Sequence, residues 1–302
     1  YLFHLIAGYL WLQKRTKRFK LAHVNILTRT AIFASVLKNL TGLPYLITEH
    51  WSRYLPITNT YRGILRKIVT RYVVRRAGAI TDVTENLKNA MQRHGLHHKR
   101  FYIIPNVIDT NIFTPTFLNH SSKKLLHVSC FEDKSKNISG LLRATQKLSH
   151  LRNDFELVLV GDGQDFQKIK EYSQNLHLEA YVTFTGLIEK EEKLAECYRQ
   201  SCCLVMFSNY ENMPVVINES LACGKPVIAT RVGGIPEIID SAKGILIDPK
   251  NEDSLCEAMN YMLDHASEYD SQALRNYAVE NFSFSKVGEC FLKIYQEIKP
   301  IQ

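Results

Sequence analysis

The chain of 302 residues carries 38 Lys and Arg against 30 Asp and Glu, a net charge of +8, and is 45% hydrophobic and 23% charged. That balance excludes a disordered chain, a collagen and a coiled coil, and at about 150 residues per domain the length predicts two domains. Seven cysteines without Cys-x-x-Cys spacing predict buried thiols in a reducing cytoplasm, not a disulfide framework or a zinc site.

The apolar run 1–12 is shorter than the roughly 20 residues of a membrane-spanning helix. Its basic cluster (Lys14, Arg15, Lys17, Arg18, Lys20) follows it, whereas a signal peptide carries its charges first. Strands are predicted at 24–27 and 45–48, with a helix over 31–40 closed by Gly42. A helix over 61–76 mixes six cations (Arg62, Arg66, Lys67, Arg71, Arg75, Arg76) with Ile64, Leu65, Ile68, Val69, Tyr72 and Val73. Such a basic amphipathic helix suits an anionic membrane, and equally an ordinary solvated helix face. Strands at 79–83 and 101–105 flank a helix at 85–94, and 111–123, with Pro115, reads as a linker.

From there short apolar runs alternate with helical patterns. Strands are predicted at 125–129, 155–160, 181–185, 202–207, 226–230 and 244–247, and helices at 139–149, 189–200, 215–223 and 236–240, with a polar loop at 132–137. This spacing indicates βαβ units on a parallel sheet. Charge divides unevenly: residues 1–120 hold 18 Lys and Arg against 4 Asp and Glu, net +14, and residues 121–302 hold 20 against 26, net −6. A basic half suggests an anionic partner. Nucleic acid is not expected, because no stacking motif or recognised module accompanies the charge.

The segment 208–219 follows a buried strand and opens a helix. Pro214 suits a first helical turn, and the N–H groups after it form an anion site at the carboxyl edge of the sheet. Glu211 precedes that site and Glu219 follows it on the helix, well placed to accept hydrogen bonds from sugar hydroxyls. A solvated loop acid and a surface helix residue fit the same spacing. Gly233-Gly234 suits either close approach to a ligand or a plain βα turn. Lys136 lies in the loop after the first strand of this half and could reach a phosphate or simply be solvated. His50 lies past the end of its strand, where α/β sites form, though a structural histidine fits there too. Asp-x-Asp and paired-cysteine motifs are absent, so no metal site is expected. The Asn-x-Ser/Thr matches at Asn39, Asn119, Asn137 and Asn281, among others, are expected to be coincidental.

Together these residues resemble the retaining glycosyltransferases of family four, the group one transferases of GT-B fold. Glu211 and Glu219 fall on that family's Glu-x7-Glu motif. Pro214, the run 222–228 (Ala-Cys-Gly-Lys-Pro-Val-Ile) and Gly233-Gly-Ile-Pro-Glu237 fall on its other signatures. The runs 104–109, 159–163, 182–186 and 48–51 are similar to further family segments. The resemblance implies two Rossmann-like α/β domains facing a cleft. A partial N-terminal acceptor-side domain would span 1–115 and a donor-binding domain 116–283. A C-terminal helix over 284–302 would pack back on the first domain. Nothing before Val24 resembles the family's opening strands, so roughly 80–100 residues of that first domain are expected to be missing.

By the same resemblance, Glu211 contacts the donor sugar and Glu219 the nucleoside ribose. Lys136 and the backbone of Asn212, Met213, Pro214 and Val215 hold the diphosphate, with Gly186 also on the donor side. His50 sits near the transferred sugar. The family's Arg ahead of Lys136 is absent, and Lys134 is the expected substitute. The implied function is transfer of a sugar, with retention and without a metal or other cofactor, from a nucleoside diphosphate sugar to a glycan or lipid-linked acceptor. Polysaccharide or glycolipid synthesis at the inner face of the plasma membrane would be its setting. The alternatives are a nucleotide-sugar epimerase on the same fold and a non-catalytic nucleotide-sugar-binding fragment.

Overall fold

The computed structural model describes residues 2–15, 19–116 and 122–298. The expectations on Lys17, Arg18, Asn119, linker residues 117–121 and the last four residues of the C-terminal helix lie outside the described residues. The chain forms two compact units, one of Tyr1–Pro105 with Val287–Gln302 and one of Asn106–Lys286. The second unit begins at Asn106, ten residues before the expected boundary at 115/116. The reason is local: Asn106 donates its Nδ2–H to Met213 O at 2.9 Å, and Ile108 bridges to Ser283.

The first unit contains α1 (Leu2–Arg15), β1 (Ala22–Asn25), α2 (Arg29–Thr41), β2 (Tyr45–Glu49), α3 (Ile64–Arg76), β3 (Ala79–Asp82), α4 (Glu85–Arg93) and β4 (Phe101–Ile103). Its four strands lie in the order β1-β2-β3-β4, all parallel. β2 and β3 are buried along their length, as central parallel strands are. β1 ends at Asn25, two residues before the expected end at 27, because Ile26 turns left-handed at φ 73°. α3 starts at Ile64 instead of 61: Gly63 sits at φ 99°, and buried Tyr61 pairs its hydroxyl with Thr70 Oγ1 at 2.5 Å. α4 is capped by Thr84 Oγ1, which accepts from Leu87 N–H at 3.1 Å.

The second unit contains β5 (Lys124–Val128), α5 (Asp133–Lys136), α6 (Ile138–Ser149), β6 (Glu156–Val160), α7 (Phe166–Asn175), β7 (Val182–Gly186) and α8 (Glu191–Gln200). β8 (Cys203–Met206), α9 (Val215–Ala222), β9 (Val227–Thr230), β10 (Gly244–Ile247), α10 (Glu252–His265) and α11 (Ser271–Phe282) complete it. The sheet order is β10-β9-β8-β5-β6-β7, all parallel. Its core packs Leu125, Leu157, Leu159 and Val205 against Leu141, Leu148 and Met259 of the flanking helices. α12 (Phe284–Ile298) closes the described chain, and its Val287 and Ile294 join Leu46, Ala79 and Ile104 in the core of the first unit.

Two expected elements differ. The helix expected at 236–240 is only a single 3-10 turn, Ile235–Glu237. Asp240 pulls the chain into a turn by accepting from Ala242 and Lys243 N–H. The polar loop at 132–137 contains α5, ended by Asn137 at φ 50°.

Candidate functional site

In the second unit the chain runs from β5 outward to β6 and β7, then returns to lay β8 against the other side of β5. Strand order therefore reverses between β5 and β8, and such switch points open a crevice at the carboxyl ends of the strands. Lys136 follows β5 and Glu211 follows β8. Their side chains meet, with Nζ 2.5 Å from Glu211 Oε1, and they are only 16% and 9% exposed. Buried Ser208 donates its hydroxyl to the same Oε1 at 2.8 Å. Glu211 Oε2 keeps no hydrogen bond among the described residues.

The loops are stitched together by backbone. Asn209 N–H donates to Ser135 O at 2.8 Å and its Nδ2–H to Lys134 O at 3.1 Å. Gly233 supports the Glu211 loop from behind: it sits at φ 56°, and an added Cβ would lie 1.9 Å from Glu211 O. The neighbouring Gly234 N–H donates to Asn212 O at 2.9 Å. The paired glycines thus approach the backbone of the site's own loop.

Pro214 stands one residue before α9 as its N-cap, not inside its first turn. Ile217 N–H turns back to Pro214 O at 3.2 Å. The N–H groups of Val215 and Val216 keep no hydrogen bond among the described residues, and a helix start with free N–H groups attracts an anion. Asn212, Met213 and Pro214 are buried beside them, while Val215 is exposed.

Glu219 lies one turn into α9. Tyr198 of α8 donates its hydroxyl to Glu219 Oε2 at 2.7 Å. Burial pushes the Glu219 carboxyl up to about 7, against the opposing Tyr198 hydrogen bond. A carboxylate held near neutrality and lacking donors on its other oxygen is suited to receive sugar hydroxyls. Tyr198 was not singled out in the sequence, because it lies 21 residues away on another helix.

Lys134 is exposed, and only its backbone carbonyl joins the loop network, so it is not brought to Glu211. Residues two apart on a helical turn point about 200° apart, and in α5 the inward direction belongs to Lys136. Gly186 ends β7 at φ 73°, and its carbonyl accepts from Gly161 N–H at 3.0 Å.

His50 belongs to the first unit. Its Nε2 lies 3.3 Å from Asn25 Oδ1, and its backbone N–H donates to Glu49 Oε1 at 3.0 Å. Glu49, fully buried, also accepts from Trp51 N–H at 3.0 Å, from Leu27 N–H at 2.9 Å and from Tyr54 Oη at 3.2 Å. It thereby fixes the loops after β1 and β2 around His50.

Beside Glu49 in register stands Asp82, fully buried, with neither carboxyl oxygen hydrogen-bonded. Burial, and then the Glu49 charge, raise it from 3.8 to about 9. The raised value means that Asp82 favours the fold below about 3.8, and that this contribution drains away as pH rises through about 9. Asp82→Asn is therefore expected to melt higher than the unmodified chain at neutral pH, with the gap widening between those two values. A lower melting temperature at every pH would contradict this.

No group of three or more His, Cys, Asp or Glu suited to a metal occurs among the described residues. The description "Glycosyl transferases group 1" matches residues 109–280. The chain belongs to that family. A second description, "Glycosyltransferase Family 4", matches residues 2–112, and membership makes this chain a transferase of glycosyl groups. The group 1 glycosyl transferase is 32% identical over 178 residues to the N-acetyl-alpha-D-glucosaminyl L-malate synthase of Bacillus anthracis, covering 56% of this chain and 45% of that protein. It is 28% identical to an uncharacterized glycosyltransferase of Methanocaldococcus jannaschii, over 87% of this chain and 71% of that one. The match to the first of these relatives therefore spans less than half of its length.

Among solved structures, the sucrose-phosphate synthase of Thermosynechococcus elongatus superposes with a TM-score of 0.82 at 21% identity, over 97% of this chain and 77% of that one. Anabaena HepE in complex with UDP does so at 0.81 and 17% identity, over 96% and 81%. The two parallel sheets are the Rossmann-like units of the GT-B class.

Proposed function

We propose that this group 1 glycosyl transferase moves a sugar, with retention, from a nucleoside diphosphate sugar to a glycan or lipid-linked acceptor. The observation that carries the reading is the Lys136–Glu211 pair at the strand-order reversal, with the free start of α9 beside it. The HepE structure with UDP supports the donor class.

In this reading the Lys136 ammonium and the Val215 and Val216 N–H groups hold the diphosphate. Negative charge gathers on that leaving group as the glycosidic bond breaks, and fixed dipoles with a cation stabilise it. Glu211 Oε2 receives a hydroxyl of the sugar and Glu219 the ribose. His50, in the first unit, is assigned to the acceptor side. The bond from the anomeric carbon to the diphosphate oxygen breaks while the acceptor oxygen bonds on the same face, and the departing oxygen takes the acceptor proton. Lys136 supplies the positive charge that a metal would otherwise provide. Turnover is expected to survive EDTA; complete loss, restored by magnesium or manganese, would overturn the metal-free account. The test of the reading itself is product analysis with donor and acceptor, in which free nucleoside diphosphate and a glycosylated acceptor should appear in equal amounts.

The acceptor side is proposed to meet an anionic membrane. No helix among the described residues is long and apolar enough to cross one. α3 instead exposes Ile64 (80%), Leu65 (75%) and Ile68 (59%) beside Arg62 and Arg66. Arg71 is not part of that face, because its guanidinium binds His94 O at 3.1 and 2.9 Å. Each cation at an anionic surface contributes about 1 kcal/mol, screened by salt. The chain is expected to sediment with anionic vesicles at low salt, and Arg62→Glu with Arg66→Glu should abolish most of that binding. Indifference of the unmodified chain to such vesicles would point to a soluble acceptor.

A further inference from the structure

A second cationic site lies in the first unit, on the sheet edge opposite to His50. Arg75, Gly78, His97, His98, Lys99 and Arg100 line an open groove of about 460 Å³. Gly78 immediately precedes β3, and His97 to Arg100 immediately precede β4. These are the amino ends of strands whose carboxyl ends carry Asp82 and adjoin the His50 loop. The volume falls in the range of roughly 300–1,000 Å³ typical of small-ligand sites.

The fold does not consume these charges. The carboxyl end of α3, where cations are often recruited by the helix dipole, is already served by two other groups. Lys38 Nζ donates to Arg76 O at 2.6 Å, and His98 Nε2 lies 3.2 Å from Ala77 O. His98 Nδ1 accepts from Arg100 N–H at 3.0 Å, so the same ring that reaches Ala77 O also braces the 97–100 loop. Arg75 and Lys99 make no ion pair or hydrogen bond among the described residues. Arg100 donates through Nη1 to the Glu297 backbone carbonyl at 3.0 Å. The neighbouring carboxylate, that of Glu297, is engaged by the Tyr102 hydroxyl. At Lys136 the cation has an acid of its own; here three permanent cations and exposed His97 share one groove without a paired carboxylate. Their mutual repulsion is relieved by a multivalent anion, and the guanidinium forks of Arg75 and Arg100 match phosphate geometry.

We propose that this groove binds a phosphate group, as a monoester or diester, separately from the donor diphosphate. Two sources share that chemistry, a soluble phosphate and a lipid headgroup. The test uses the full chain, with the His97 ring proton resonances as a local reporter. Arg75→Ser with Lys99→Ser is the chosen variant, because neither side chain holds the fold. Inorganic phosphate is titrated in one arm, and phosphatidylglycerol vesicles are compared with phosphatidylcholine vesicles in the other. If the ligand is soluble, phosphate shifts the His97 resonances in the unmodified chain and not in the variant. If it is a headgroup, phosphate alone leaves His97 unmoved, while phosphatidylglycerol binding falls about 30-fold in the variant, the loss expected of two cations at an anionic surface. Vesicle binding that is unchanged in the variant, together with an unresponsive His97, overturns the proposal and leaves the exposed face of α3 to account for any membrane contact.

Discussion

Lys136→Ala is expected to lower turnover by on the order of 10²–10³-fold, the cost of removing one preorganised group from a developing oxyanion. The ammonium sits 2.5 Å from Glu211, so its position is fixed before substrate arrives. Its charge matters most when the diphosphate departs, and the rate should therefore suffer more than donor affinity. The substitution also strands a mostly buried carboxylate, which costs a few kcal/mol of stability. Glu211→Gln combined with Lys136→Ala removes that cost, and the double variant should recover melting temperature without recovering rate. A Lys136→Ala protein with unaltered turnover would remove the leaving-group role. Glu211→Ala is expected to act in the same sense, on transfer more than on nucleotide binding.

Glu219→Ala is expected to weaken nucleoside diphosphate binding by about 10–150-fold, the range for a lost hydrogen bond to a charged acceptor. Its pH behaviour separates this role from simple packing. With the carboxyl pushed up to about 7, the protonated form predominates below that value and is a poorer acceptor for two ribose hydroxyls. Affinity should rise as pH increases through about 7 and level off above it. In terms of stability the sign is opposite: the raised value favours the unliganded fold below about 4.5, and that contribution is lost through about 7. Glu219→Gln should flatten both curves. An affinity that is independent of pH in the unmodified chain would remove Glu219 from the ribose contact. Tyr198→Phe provides a milder check, since it takes away the 2.7 Å hydrogen bond and leaves the packing.

The second sheet was legible because its strands are short, apolar and buried on both faces, as β8 and β9 are. Glu211, Glu219 and Lys136 were legible through motif order, and what the structure adds is that two of them touch. Other features depend on contacts that no local pattern encodes. Glu49 reads as an ordinary residue beside His50, yet it gathers backbone N–H groups from two separate loops. Asp82 is acidic in sequence and buried without a partner in the fold. Lys134 and Lys136 are equivalent in composition and differ only in the direction each takes from one helical turn. The early end of β1 follows from a left-handed Ile26, a conformation a β-branched residue seldom adopts. α1 was not assigned as a helix, because an apolar run of that length fits several structures.

The central claim is that the second unit holds a nucleoside diphosphate between Lys136, the start of α9 and Glu219. Calorimetric titration of uridine, guanosine and adenosine diphosphates into the unmodified chain, and into Lys136→Ala and Glu219→Ala, tests it most directly. The account predicts saturable binding of at least one nucleotide, unaffected by EDTA and weakened in both variants. Binding of none of the three, or binding of equal strength in all three proteins, would contradict it.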